Sequence, residues 1–196
     1  MDFLKMEGKA FLITGVANKK SVAFHVAKTL IENGAEVFLS VQNEPNYEKV
    51  KKLFPDNRIF ICDVENEDSI ETLREELKGK VLSGFLHSIA FANYSEGIKP
   101  FHETNVKDYL QATNISCFSL VALANGLKKN LAEDASVVTI SISNTKATSY
   151  GYMGPIKASL DATVPFLAKS FSDFSRIRFN AVCAGPLKTS ASAGIP

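Results

Sequence analysis

Short apolar runs ending at glycine, aspartate or serine alternate along this chain with longer stretches in which apolar residues recur every three or four positions. Ala10-Phe-Leu-Ile-Thr14 is the first such run; it stops at Gly15 and reads as a buried parallel strand. Ser21 has the chemistry of a helix N-cap, and Val22, Ala23, Val26, Ala27, Leu30 and Ile31 follow it at helical spacing. Asn33-Gly34 closes that helix, and Glu36-Val-Phe-Leu-Ser40 is expected as the second strand. Strand, helix and strand in this succession favour a right-handed parallel crossover. The alternation continues with a helix over 45–54, a strand over 58–62 ending at Asp63, a helix over 67–77 with acids in its first turn, and a strand over 84–88. After a loop over 91–101 come a long helix over about 105–131, a strand over 136–141, a helix following Tyr150 and a strand over 176–181. Pro165 lies inside the last helix, removes a backbone donor and predicts a kink or break there.

This order of elements predicts an α/β fold: one doubly wound parallel sheet, Rossmann-like, of at least six strands with helices on both faces. Ligands in such sheets sit beyond the carboxyl ends of the strands, where Gly15, Asp63, Ser88, Ser141 and Gly185 fall.

Composition changes this picture only at its edges. With 196 residues, 45% of them hydrophobic, the chain has material for one core and one domain. A net charge of +1 with interspersed signs offers no electrostatic case for nucleic acid or an anionic membrane, and the lysine pairs at 19–20, 51–52 and 128–129 read as solvated helix ends or loops. No run is long and apolar enough to span a bilayer, and the N-terminus carries early acids without the apolar region of a signal peptide. Cys62, Cys117 and Cys183 are far apart and form no CxxC, which predicts a reduced, cytoplasmic protein with buried thiols and neither a zinc knuckle nor a disulfide framework.

The candidate chemistry lies in Tyr150-Gly-Tyr-Met-Gly-Pro-Ile-Lys157-Ala-Ser-Leu160. A helix beginning near Met153 carries Lys157 about one turn in, where its ammonium can stabilise a phenolate held just upstream. A phenol so assisted can steady an oxyanion forming on a substrate carbonyl. A second feature is Gly15-x5-Ser21-x-Ala23, in which a glycine admits a pyrophosphate and a helix N-terminus offers it free amides. An ordinary tight strand-to-helix turn has the same residues.

Five ordered motifs together carry a resemblance. Thr14-Gly-Val-Ala-Asn-Lys-Lys-Ser-Val-Ala23 closely resembles the modified glycine loop of bacterial enoyl-acyl-carrier-protein reductases, divergent members of the short-chain dehydrogenase/reductase superfamily. Cys62-Asp63-Val64 resembles the family's adenine contact, and His87-Ser-Ile-Ala-Phe-Ala92 its nicotinamide-side loop. Tyr150-x6-Lys157 matches the spacing of enoyl reductases; ordinary superfamily members use Tyr-x3-Lys, and in this chain Met153 occupies that tyrosine position. Arg178-Phe-Asn-Ala-Val-Cys-Ala-Gly-Pro-Leu-Lys-Thr189 resembles the second cofactor loop.

The resemblance implies reduction of a trans-2-enoyl thioester on acyl carrier protein in fatty-acid synthesis, with hydride from NADH. Tyr150 is then the catalytic donor to the enolate oxygen, and Lys157 holds the nicotinamide ribose and lends positive field. Gly15, Ala17, Ser21 and Val22 line the pyrophosphate; Asp63 and Val64 meet the adenine; Ser88, Ile89, Ala90 and Ile115 lie beneath the adenosine and nicotinamide halves. Ala184, Gly185, Pro186, Leu187 and Thr189 close over the nicotinamide. Gln42 follows the second strand with no arginine beside it, which favours NADH over NADPH, since an arginine there accommodates a 2'-phosphate. Tyr152 is expected as a packing residue. A homotetramer is implied as well.

The chain departs from the family pattern in three places. Ile142 stands where a second active-site tyrosine is expected, in a segment two residues shorter than the pattern. Asn114 resembles the asparagine of ordinary superfamily members, or else is a polar residue at a helix kink. The chain also stops at Pro196, before the final strand and the lid helices of the acyl site, so that residues 1–196 read as a reductase domain lacking them. A short-chain reductase of a carbonyl substrate and a non-catalytic nucleotide-binding paralogue are the alternative readings.

Overall fold

The computed structural model describes residues 4–93, 97, 99–146, 148–185 and 187. Its strands are β1 (Ala10–Thr14), β2 (Glu36–Val41), β3 (Ile59–Ile61), β4 (Leu82–His87), β5 (Leu131–Ile142) and β6 (Arg178–Ala184). All pair in parallel, in the order β3-β2-β1-β4-β5-β6. The helices are α1 (Val22–Glu32), α2 (Glu44–Lys51), α3 (Glu67–Glu76), α4 (Val106–Thr113), α5 (Ser119–Leu127) and α6 (Met153–Ser172).

Neighbouring residues of the central strands enter opposite cores, because side chains alternate across a sheet. Leu12, Phe38, Phe85 and Val137 join Leu73 of α3, Leu123 of α5 and Ile156 of α6 in the larger core. Ile13, Leu39 and Leu86 join Ala23 and Ala27 of α1 and Val50 of α2 in the smaller one. Each large side chain so enclosed contributes about 1.5–3 kcal/mol. Strands covered on both faces must be apolar at every position, which is why they stand out as continuous runs.

Four expectations are corrected. The strand expected over 136–141 begins five residues earlier, because Leu131 already pairs with Leu82 before Ser136 pairs with Gly84. The register shifts between these two pairs, and Gly84 is needed opposite Ser136: a Cβ there would lie 2.0 Å from the Ser136 carbonyl oxygen. The long helix over 105–131 is instead α4 and α5 joined by a π-turn, Asn114–Phe118, closed by the Ser119 amide on the Asn114 carbonyl five residues back. Helix α6 runs unbroken through Pro165. Pro165 is exposed and Asp161, whose carbonyl loses its donor, is only partly buried, so solvent can replace the missing bond. Finally, Cys62 and Cys117 are buried as expected, but Cys183 is exposed. It lies on β6, one of the two edge strands among the described residues. None of the described helices is long and apolar enough to cross a membrane.

Candidate active site

Strand order reverses between β1 and β4, which are neighbours although their crossovers leave in opposite directions. In open sheets of this kind the ligand crevice lies beyond the carboxyl ends of the strands at such a reversal. Thr14 Oγ1 donates to the Leu86 carbonyl at 2.9 Å and ties the two ends together. Gly15 follows with φ +82°, and a Cβ on it would lie 2.0 Å from the Ser88 carbonyl oxygen. Only glycine meets both conditions. Helix α1 opens after Ser21, whose hydroxyl accepts from the Phe24 amide at 3.3 Å. Its first turn holds no acid, whereas α2, α3 and α4 carry Glu44, Glu67 with Asp68, and Asp108 in theirs. The positive end of the α1 dipole is left for an outside anion, next to Val22 and the exposed Ala17.

The segment after β4 is pinned from three sides. Gly15 packs beneath Ser88. Ser116 of the π-turn accepts from the Phe91 amide at 2.8 Å and donates to the Phe91 carbonyl at 3.0 Å. Tyr152 is buried, its ring edge-on to Tyr109 and its hydroxyl bonded to the Asn93 carbonyl, which bears out its expected packing role. Ile89 is half-buried against the larger core, Ala90 is exposed, and Ile115 is buried in the π-turn.

Tyr150 ends a short 3₁₀ turn, Thr148–Tyr150, and packs half-buried against the larger core at the mouth of α6. One turn into that helix Lys157 is enclosed, 3% exposed, with Nζ donating to the Ile140 carbonyl at 2.8 Å. Burial lowers its pKa from 10.5 to about 8, against the opposing pull of Asp161 and Cys117. One residue beyond Ile140, the buried Ser141 hydroxyl has no hydrogen-bond partner among the described residues. A buried polar atom without a partner marks a place for a ligand or water.

The other expected contacts lie along the same edge of the sheet. Gln42 is exposed after β2. Lys51 Nζ is turned to the Pro55 and Asn57 carbonyls, at 2.7 and 3.4 Å. Asp63 uses one carboxylate oxygen to accept from the Glu65 amide at 3.1 Å, and Val64 packs on the larger core. Ala184 ends β6, with Gly185 and Leu187 exposed after it; Pro186 and Thr189 lie outside the described residues. Sequence reasoning missed the serines that organise the π-turn, Ser116 and Ser119, and the partners of His87. Their signal was present as polar residues at 114, 116 and 119 inside an otherwise apolar helix.

A glycine cradle, an acid-free helix N-terminus, a buried ammonium and an orphan hydroxyl on one crevice fit a nicotinamide dinucleotide. The relatives agree. Residues 15–196 match the family model described as enoyl-(acyl carrier protein) reductase. The NADH-dependent enoyl-[acyl-carrier-protein] reductase of Bacillus subtilis is 36% identical over 97% of this chain and 77% of its own length. The NADPH-dependent enzyme of Staphylococcus aureus is 34% identical over 98% of this chain and 78% of its own. The Bacillus cereus reductase, solved with NADP+ and indole naphthyridinone, superposes with a TM-score of 0.91 at 32% identity, covering 97% of this chain and 77% of that one. The Anaplasma phagocytophilum reductase in complex with NAD gives 0.86 at 33% identity over 97% and 75%. On its sequence and its fold alike, the chain belongs to the enoyl-acyl-carrier-protein reductase family.

Proposed function

We propose that this chain reduces the double bond of a trans-2-enoyl thioester carried on acyl carrier protein, with NADH as the preferred donor and Tyr150 and Lys157 as the catalytic pair. The observation that carries the reading is Lys157: an ammonium enclosed at the carboxyl edge of the sheet, one turn into the helix that opens just after Tyr150. Burying a charge is costly, and a cation kept there is best explained by work done on a ligand. When bound, the reduced nicotinamide supplies hydride to the β-carbon of the substrate. The Tyr150 hydroxyl then donates to the thioester oxygen as negative charge develops on it, and Lys157 adds positive field while holding the ribose. Gly15, Ala17, Ser21 and Val22 take the pyrophosphate, and Asp63 with Val64 flanks the adenine. Ser88, Ile89, Ala90, Ile115 and the residues from Ala184 onward enclose the rest of the cofactor.

NADH is favoured because Gln42 brings no positive charge to the end of β2, and Lys51 is committed to backbone carbonyls. Self-association is supported by exposed apolar side chains on α4, the π-turn and α6, where Val106, Leu110, Phe118 and Phe166 are each more than half exposed. Replacing Tyr150 with Phe tests the chemistry: turnover should fall by roughly 100-fold, the scale of losing one oxyanion donor, with NADH affinity unchanged. Undiminished turnover would remove Tyr150 from the mechanism.

A further inference from the structure

His87 ends β4, is fully enclosed, and has no part in the reaction as just outlined. Its Nδ1 lies 2.8 Å from Thr139 Oγ1 on β5, and its Nε2 lies 2.8 Å from Ser119 Oγ at the head of α5. The hydroxyl protons decide the tautomer. Ser119 has one proton and donates it to the Ile115 carbonyl. Its oxygen can therefore only accept from His87, so Nε2 carries the hydrogen and Nδ1 accepts from the Thr139 hydroxyl. The imidazole is neutral: burial drives its pKa down to about 3, and the nearby Lys157 ammonium pushes the same way.

Each end of this chain of bonds reaches a wall of the crevice. Ile115, whose carbonyl Ser119 holds, sits in the π-turn. Thr139 is followed by Ile140, whose carbonyl receives Lys157. His87 itself precedes Ser88, the residue beneath which Gly15 packs. A buried network with every member satisfied specifies one arrangement, because breaking any link strands the others.

We propose that His87, as the neutral Nε2–H tautomer, is a positioning residue for hydride transfer, holding the π-turn, the end of β5 and the segment after β4 in one frame so that Ile115 and Lys157 meet the nicotinamide half together. This rests on the reductase reading above.

The test uses the full chain and three variants: His87→Leu, His87→Gln and Ser119→Ala. Nitrogen NMR of imidazole-labelled protein should show one protonated and one bare ring nitrogen, the protonated one being Nε2, unchanged across roughly pH 5 to 8, where a free imidazole titrates. This readout needs no substrate. In steady-state kinetics His87→Leu should lower kcat by roughly tenfold or more, as expected when buried partners are left unsatisfied, and should weaken NADH binding. His87→Gln, which offers a donor and an acceptor, should recover most of both, and Ser119→Ala should fall between. An Nδ1–H or cationic imidazole overturns the proposal. So does an equal loss in the Leu and Gln variants, which would reduce His87 to a volume filler. Should His87→Leu not fold, the proposal stands on Gln retaining more activity than Ser119→Ala and fails on the reverse. Absence of enoyl reduction by the unaltered chain, with the tautomer and the ranking of NADH affinities as expected, would count against the reductase reading and leave the positioning role supported.

Discussion

In the proposed mechanism Lys157 is the residue at which stability and function pull apart. Folded, it titrates near 8 rather than its ordinary 10.5. Between those values the unfolded chain holds a proton that the folded chain does not, so stability rises with pH through that window. Below about 8 the whole penalty is present, on the order of 3 kcal/mol. Lys157→Met should therefore stabilise the chain at neutral pH, by about 1–2 kcal/mol once the stranded Ile140 carbonyl is counted, while abolishing turnover. Thermal unfolding of both forms from pH 7 to 10 checks this. The rise with pH should be shallower in the variant, and a variant less stable than the parent at pH 7 would contradict the assignment. His87 acts at the other end of the scale. Its folded pKa of about 3 lies below the ordinary 6.5, so stability is lost as pH falls through 6.5 toward 3, and His87→Gln should blunt that loss. At this scale Tyr150 and Lys157 could be singled out as candidates because their spacing is local. The His87 network was not, since its partners lie 32 and 52 residues away.

Among the elements, the loop from β1 to α1 is the most sharply constrained. Gly15→Ala must fit a Cβ 2.0 Å from a carbonyl oxygen at positive φ, and neither neighbour is a side chain able to move aside. We expect a loss of roughly 2 kcal/mol or more in stability from strain and overlap, together with weakened NADH binding, measured by denaturant unfolding and by titration of cofactor fluorescence. A fully stable variant with parental affinity would show that the loop is looser than this geometry. The strands and most helices could be read from the sequence because sheets buried on both faces demand apolar runs and helices demand a 3.6-residue period. The π-turn could not, because shifting one hydrogen bond from four residues to five barely changes which positions are apolar. The early start of β5 was hidden for a related reason: Glu133 and Asp134 at the register shift make the segment look like a polar loop.

At the scale of the molecule, the two-sided sheet and the reversal between β1 and β4 put every proposed contact along one edge, although the residues concerned run from Gly15 to Leu187. The doubly wound class followed from the alternation of elements. The choice of nicotinamide cofactor did not, because it depends on one or two side chains after β2, and the relatives include both NADH and NADPH enzymes. Placing a cation there should move the preference: Gln42→Arg should raise kcat/KM with NADPH relative to NADH by roughly tenfold, and an unchanged ratio would exclude this position as the determinant. The most direct measurement is the oxidation of NADH by this chain in the presence of a trans-2-enoyl thioester of acyl carrier protein, with the product identified by mass. The expected product is the saturated acyl thioester, formed in step with NADH consumed and suppressed by Tyr150→Phe. Tight NADH binding with no enoyl reduction, alongside turnover of a carbonyl compound, would contradict the reductase reading.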